Sequence, residues 1–474
     1  SINFDNNGAG EGNQIISSWN SSIDDSLVSF IHNVNYCSIL GGYNNNIRPT
    51  LQFPPGNLIK NIVIIGGGIA GLYSYYKLQH QHKHLKIKLF EKENYFGGRI
   101  FTVKKTINNK KYQYEAGAGR LNDKHILFLK LIQHMNLSND LIKIKGSSEF
   151  IPTSHFKLKN DKQFKHKNAY YFIKKVVKAG LKAKKEDLIK VTFKEYALTI
   201  LTQEEVFFML SSSGYYGELV HENAFNALKI FNEGIRDDIN YYVLKNGMSS
   251  IVDKLVKKIK DNKGQLYLNS SLKSIKRESS HYILNINNKQ VKAKKIILAL
   301  PKPALENLNY LSNYSKELNS ITCKSLCRIY SIFKEVWFKN IHKTTTNNNL
   351  RFIIPINKQN GLIMSSYSDC KYAHYWKKYL NKKKSNDLSN DLVKKLKDVF
   401  HLKIEKPIYN DICYWDCGVG FWNKNKDSEL LAPKILQLNK EEDLYIVGEN
   451  YSQNQGWIEG ALETVEDLIQ KLNM

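Results

Sequence analysis

The sequence predicts an α/β protein in which a parallel sheet, covered on both faces, is interrupted by a second part of mixed α+β character. Three observations carry that expectation. A β-branched run, Asn61-Ile62-Val63-Ile64-Ile65, leads directly into Gly66, Gly67 and Gly68. A helical stretch, Leu72 to Gln79, and a second apolar run, Ile87 to Phe90, follow it. Two further runs, Lys295 to Leu300 and Leu444 to Val447, stand far downstream. Short β-branched runs bounded by turn formers suit strands buried on both faces, and strand-helix-strand order suits parallel pairing.

The 474 residues exceed one ordinary core, so two or three folding units are expected. A hydrophobic content of 42% is enough to build them and excludes a disordered chain. The formal charge of +26 raises the question of polyanion binding. The lysines are scattered, however, among abundant Asn, Ile and Tyr. A general basic field that draws anionic small molecules is therefore favoured over a specific polyanion site. Six cysteines, at 37, 323, 327, 370, 413 and 417, contain no Cys-x-x-Cys pair, which argues against a zinc or thioredoxin-type site. Their low number and irregular spacing predict no disulfide framework, a reducing compartment and a cytoplasmic location. The chain begins at Ser1, so a removed leader stays open. No apolar run approaches about 18 residues, so no membrane span is expected.

Residues 1–57, polar and closing on Pro54-Pro55-Gly56, read as an extension, with a short helix between Gln14 and Leu40. Residues 58–123, 241–310 and 441–474 carry the strand runs and are expected to form one discontinuous domain. Strands are predicted at Gln265 to Leu268, His281 to Ile286 and Lys295 to Leu300, the last stopped by Pro301 and Pro303. Residues 124–240, mainly helical, and 311–440, with strand-like alternation, are expected to form the second domain. The chain closes with a helix from about Trp457 to Leu472.

Gly66-Gly67-Gly68-Ile69-Ala70-Gly71 is a G-x-G-x-x-G placed between a strand and a helix. In that position Gly66 permits the tight turn, Gly68 lets a pyrophosphate approach the backbone, and Gly71 allows close helix–strand packing. The helix N-terminus, at Ile69 and Ala70, offers free N–H groups and a partial positive charge to phosphate. Glu91 ends the second strand, twenty residues after Gly71, where a carboxylate can accept the hydroxyls of an adenosine ribose. Gly97-Gly98-Arg99 follows, and an Arg there can neutralise diphosphate charge through paired hydrogen bonds.

From Phe90-Glu91-Lys92 through Gly97-Gly98-Arg99 the chain resembles the flavin-containing amine oxidase family, most of all its L-amino acid oxidases. Two later segments add to the resemblance: Ile296 to Pro301, like the family's strand ending in Ala-x-Pro, and Val447-Gly448-Glu449-Asn450, like its Gly-Glu-His. The matching blocks span about 58–121, 241–301 and 443–470. The resemblance implies a Rossmann-like FAD-binding domain of the glutathione-reductase/monoamine-oxidase type with an inserted α+β substrate domain. It implies that Lys92, Gly98 and Arg99 contact the cofactor, that the backbone at Leu272 meets the adenine, and that Gly448 and Glu449 lie along the ribityl–phosphate part.

Glu115-Ala116-Gly117-Ala118-Gly119-Arg120 resembles the Gly-x-x-Arg segment of L-amino acid oxidases. There Gly117, Ala118 and Gly119 lie against the flavin and Arg120 grips the substrate carboxylate, a role a planar guanidinium fills by bidentate pairing. Gln455-Gly456-Trp457-Ile458-Glu459-Gly460-Ala461 resembles the start of the family's last helix, whose N-terminus faces the flavin. Gly456 and Trp457 would border the substrate amine, and Ile458 the cofactor.

Four departures stand out. The family's water-holding Lys falls on Arg328, with Lys324 nearby but out of register; an Arg holds its charge and cannot serve as a base. Ile354 stands where a carboxylate-binding Tyr is usual, and Asn450 where His is usual. The family's aromatic walls are assigned to Phe421 and Trp422. Some members link FAD through a Cys in this zone, but the context of Cys417 differs, so noncovalent FAD is expected.

The reading is thus an FAD-dependent oxidase, with oxygen as acceptor, that takes a hydride from the α-carbon of an amine, most of all an L-amino acid. Mono- or polyamines are the second substrate class. A desaturase or protoporphyrinogen-type oxidase shares the FAD blocks, and a non-catalytic basic FAD-containing binding protein remains as another class. No metal is called for, and a homodimer is compatible with the sequence.

Overall fold

The computed structural model describes residues 61–144, 146–159, 161–234, 239–380 and 385–472. The predicted extension over 1–57, with its helix, lies outside the described residues.

The predicted parallel sheet forms from the runs that announced it. Its strands lie in the order Leu444–Ile446, Lys295–Leu298, Asn61–Ile65, Lys86–Phe90 and Gln265–Tyr267, all parallel. The central strand shows why β-branched residues were needed: Ile62, Val63 and Ile64 have no exposed surface. Ile62 and Ile64 face one core, Val63 and Ile65 the opposite one. Full burial of each such side chain contributes about 1.5–3 kcal/mol.

One face is covered by helices Ile69–Gln81, Ile126–His134, Ser249–Asp261 and Ile458–Leu472. The last presents Ile458, Ala461, Leu462, Val465, Leu468 and Ile469 to the core, the spacing of one helical face. The other face is covered by the antiparallel sheet Leu272–Glu278, His281–Ile286 and Lys289–Ala293. Pro301 leads into the short helix Lys302–Glu306 and closes the strand before it, as expected.

Residues 161–234 are helical and enclose their own aromatic core around Phe172, Phe193 and Phe208. A six-stranded sheet completes the chain, in the order Tyr409–Trp422, Ile321–Ile332, Leu362–Asp369, Phe352–Asn357, Thr344–Thr345 and Glu149–Phe150. Its two long strands pair antiparallel with a shift of register between Lys324 and Leu326. Among the described residues no helix is long and apolar enough to cross a membrane.

The cysteine reading needs correction. Cys323 and Cys417 form a disulfide, with Cα atoms 5.0 Å apart. The two positions are 94 residues apart in sequence but fall on neighbouring strands at the register shift. Spacing along the chain held no sign of that pairing, and the argument for a reducing compartment loses its footing with it.

Candidate active site

The glycine turn is built by close approach. A Cβ on Gly71 would lie 1.9 Å from the Gly66 carbonyl oxygen, so no larger residue fits where the helix crosses the strand. Gly68 borders open space, its nearest neighbour 4.0 Å from a hypothetical Cβ. The helix starting at Ile69 has no side-chain cap and no acidic residue in its first turn. Its leading N–H groups therefore remain available to an anion. Glu91 is buried, and its carboxylate accepts the N–H groups of Gly67 at 2.5 Å and Glu93 at 2.9 Å. A carboxylate offers about four acceptor positions, so capacity for hydroxyls remains. The loop before Leu272 runs beside it, the Ser270 N–H donating to the Glu91 carbonyl at 2.7 Å. Lys92 departs from expectation in its side chain, which is exposed and pairs with Glu93 at 3.2 Å.

Arg99 reaches across the cleft. Its Nη1 donates to Glu449 Oε2 at 2.6 Å and to the Gly418 carbonyl at 2.8 Å. The other Glu449 oxygen accepts the Gly456 N–H at 2.7 Å, and Asn450 Nδ2 donates to Oε2 at 2.8 Å. Gly448, at φ +134°, has no described residue within 4 Å of where a Cβ would stand. Among the described residues, open space therefore adjoins Gly68 and Gly448, near uncapped helical N–H groups and an Arg–Glu pair. The residues present fit an adenine dinucleotide.

The Glu115–Arg120 turn leads from the hairpin Thr102–Ile107 and Lys110–Glu115. It is pinned by side chains from the six-stranded sheet. Arg328 Nη1 and the Tyr330 hydroxyl donate to the Glu115 carbonyl at 3.0 and 2.8 Å, and Trp415 Nε1 to the Ala116 carbonyl at 2.8 Å. The Ala118 N–H bonds the Arg99 carbonyl at 2.8 Å, which joins this turn to the cofactor turn. Arg328 also lies over the Tyr367 ring, 4.4 Å from its centroid.

Arg120 is half-buried and has no carboxylate partner among the described residues. Instead its guanidinium donates to the Tyr215 hydroxyl at 3.2 Å and faces the rings of Tyr241 and Trp457 at 4.8 and 5.7 Å. Trp457 rests on His125, ring centroids 4.6 Å apart. Burial, helped by the Arg120 charge, lowers the His125 pKa to about 4. Lys343 is held down to about 7 by burial and by Arg120, while its Nζ donates to the Gly146 carbonyl at 2.9 Å. Glu218 is pushed up to about 7 by burial and by Asp369, with Arg120 opposing. Glu459, next to the final helix start, accepts the N–H groups of Leu127 and Phe128 at 2.7 and 2.8 Å and thereby caps a neighbouring helix.

Two expected aromatic walls are corrected. Trp422 has no exposed surface; it packs with Tyr451 in the core behind the sheet and donates Nε1 to the Ser452 carbonyl at 2.9 Å. Phe421 is 2% exposed and packs against Val419, Cys370 and Gly217. Neither offers a face to a substrate. The rings around Arg120 come instead from Tyr215, Tyr241, Tyr367 and Trp457, with Tyr170 close enough to feel its charge. Ile354 faces the Tyr112, Tyr114 and Tyr330 cluster. The segment before Glu218 is held from two sides: Arg351 donates to the carbonyls of Ser211, Leu210 and Ser213, and Asp369 accepts the N–H groups of Tyr216 and Gly217.

The family model described as flavin-containing amine oxidoreductase matches residues 69–464. A protein of Acanthamoeba polyphaga mimivirus is 24% identical over 88% of this chain and 94% of its own length. Aplysianin-A of Aplysia kurodai is 21% identical over 86% of this chain and 89% of its own. A putrescine oxidase structure superposes with a TM-score of 0.70 at 13% identity, over 87% of this chain and 98% of that one.

Proposed function

This chain belongs to the flavin-containing amine oxidoreductases, and on that premise we propose that it is an FAD-dependent L-amino acid oxidase. It takes a hydride from the α-carbon, leaving an imine that water hydrolyses to a keto acid and ammonia, with oxygen reduced to hydrogen peroxide. The observation that carries the substrate assignment is Arg120: a half-buried guanidinium that makes no ion pair among the described residues, framed by tyrosines beside Trp457. A half-buried charge with no ion-pair contact is costly, so the arrangement suits a ligand that brings a carboxylate.

The flavin, when bound, supplies the two-electron acceptor. The free N–H groups at Ile69 and Ala70, with Gly66, Gly68 and Gly71, would hold its diphosphate, and Glu91 its ribose. Leu272 would meet the adenine; Gly98, Arg99, Gly448 and Glu449 would line the linking part; Gly117, Ala118, Gly119, Trp457 and Ile458 would border the ring. The held turn over Glu115–Arg120 orients the substrate carboxylate relative to that ring. Gly456 and Trp457 close the amine side and exclude water. Arg328 stays charged and positions polar groups rather than moving protons. Under the same reading 58–123, 241–310 and 441–474 form the FAD-binding part and 124–240 with 311–440 the substrate part. The engagement of Cys417 by Cys323 supports FAD held without a covalent link.

Glu218 favours a second reading. A half-buried acid in the same ring of tyrosines would suit a substrate with an ammonium at its far end, as in a polyamine or a basic amino acid. Both readings meet one experiment. The purified protein should be yellow, and an anaerobic panel of amino acids and amines should bleach it. Bleaching by amino acids alone supports the carboxylate role of Arg120; bleaching by amines lacking a carboxylate, and not by amino acids, overturns it.

A further inference from the structure

The Cys323–Cys417 bond adjoins two residues assigned above to the cofactor, Arg99 and Glu449, through Gly418 and Asn450. The residue after Cys417, Gly418, gives its carbonyl to Arg99, whose guanidinium also holds Glu449. Asn450 Oδ1 lies 3.7 Å from the Cys323 sulfur and 3.5 Å from that of Cys417. That oxygen is fixed in place: it accepts the Lys302 N–H at 3.0 Å, while Asn450 Nδ2 is bound to Glu449 at 2.8 Å. A disulfide has no S–H to offer an acceptor, but either thiol of the reduced pair can donate to this one. The site therefore provides a polar partner that only the reduced form can use. Both bonded cysteines are half-buried, so they are open to exchange; Cys327 and Cys370, by contrast, are buried and unbonded.

We propose that Cys323 and Cys417 form a second redox centre that exchanges an electron pair with the bound flavin. The proposal rests on the flavin reading above. In the step, two electrons pass from the reduced flavin, loaded by the amine substrate, to the disulfide. The S–S bond breaks, the hydrogen released by the reduced flavin and one proton from solvent complete two S–H groups, and the flavin returns to its oxidised form. A low-molecular-weight disulfide can then drain the pair by thiol–disulfide exchange, releasing two thiols and restoring the bond. The protein would thereby couple amine oxidation to disulfide reduction as well as to oxygen.

The test is an anaerobic dithionite titration of the yellow holoprotein, with samples denatured in N-ethylmaleimide and peptide-mapped. The expected result is four electrons per flavin for the wild type, with Cys323 and Cys417 alkylated only after reduction. The C323S/C417S protein should take two electrons per flavin. A wild-type protein that takes two electrons and keeps the bond intact overturns the proposal without touching the flavin reading. So does alkylation of both residues before any reductant is added, or a flavin found attached to Cys417. A protein that takes up no flavin on reconstitution sinks both proposals together.

Discussion

Arg99 and Glu449 stand 350 positions apart in the chain, yet Nη1 of one lies 2.6 Å from Oε2 of the other. The pair ties the second glycine turn to the segment that enters the final helix. The Glu449 side chain is only 6% exposed, and this partner and the N–H groups of Gly456 and Asn450 satisfy its oxygens.

Arg99→Ala leaves a buried carboxylate without its cation, a change that typically costs about 3–5 kcal/mol, and the 33% exposure of Arg99 places it at the lower end. Urea unfolding should show that loss, and flavin content should fall with it. The variant E449Q removes the charge as well as the pairing and should be milder in both. Equal losses for the two variants would argue against a compensating ion pair.

Arg120→Lys keeps the charge but loses the planar fork. Loss of a charge-assisted hydrogen bond costs about 1.5–3 kcal/mol, so the KM for the best amino acid should rise roughly 10- to 150-fold. Flavin content should stay at the wild-type value. A parallel loss of flavin would reassign Arg120 to the cofactor.

These two arginines differ in how far the chain alone could place them. Arg99 follows a strand, an acid and a glycine pair in local order, and local order survives folding; the parallel sheet was legible for the same reason. The surroundings of Arg120 were not. Tyr215, Tyr241 and Tyr367 come from a loop and two strands far apart in sequence, and no periodicity marks them. Phe421 and Trp422 carried the right chemistry beside the right strand. Pairing of Ile321 with Trp422 and Thr322 with Phe421 turned one ring into each of two closed cores. The Cys323–Cys417 bond escaped notice in the same way, since a register shift between two long strands decides it.

Asp369→Asn probes the support of the Tyr215 loop. Asp369 accepts the Tyr216 N–H at 3.0 Å and the Gly217 N–H at 2.6 Å from a buried position. An amide nitrogen in place of one oxygen turns an acceptor into a donor facing donors. The expected cost is about 1–3 kcal/mol in unfolding free energy. Because Tyr215 holds Arg120, KM should rise while kcat and flavin content change little. A fall in kcat with KM unchanged would show that the loop acts elsewhere.

Glu218→Gln tests the half-buried acid through pH. Burial and the neighbouring Asp369 raise the Glu218 pKa to about 7, against an unfolded value of about 4.3. The folded chain thus binds this proton more tightly than the unfolded one. Its contribution to stability is complete below about pH 4 and is lost as pH rises through about 7. Gln cannot ionise and escapes that loss. Melting temperatures should therefore diverge in favour of the variant between about pH 4.5 and 7 and run parallel above about pH 8. A difference that stays constant across that range would mean that Glu218 titrates as an ordinary carboxylate, free of the upward pull of burial and Asp369.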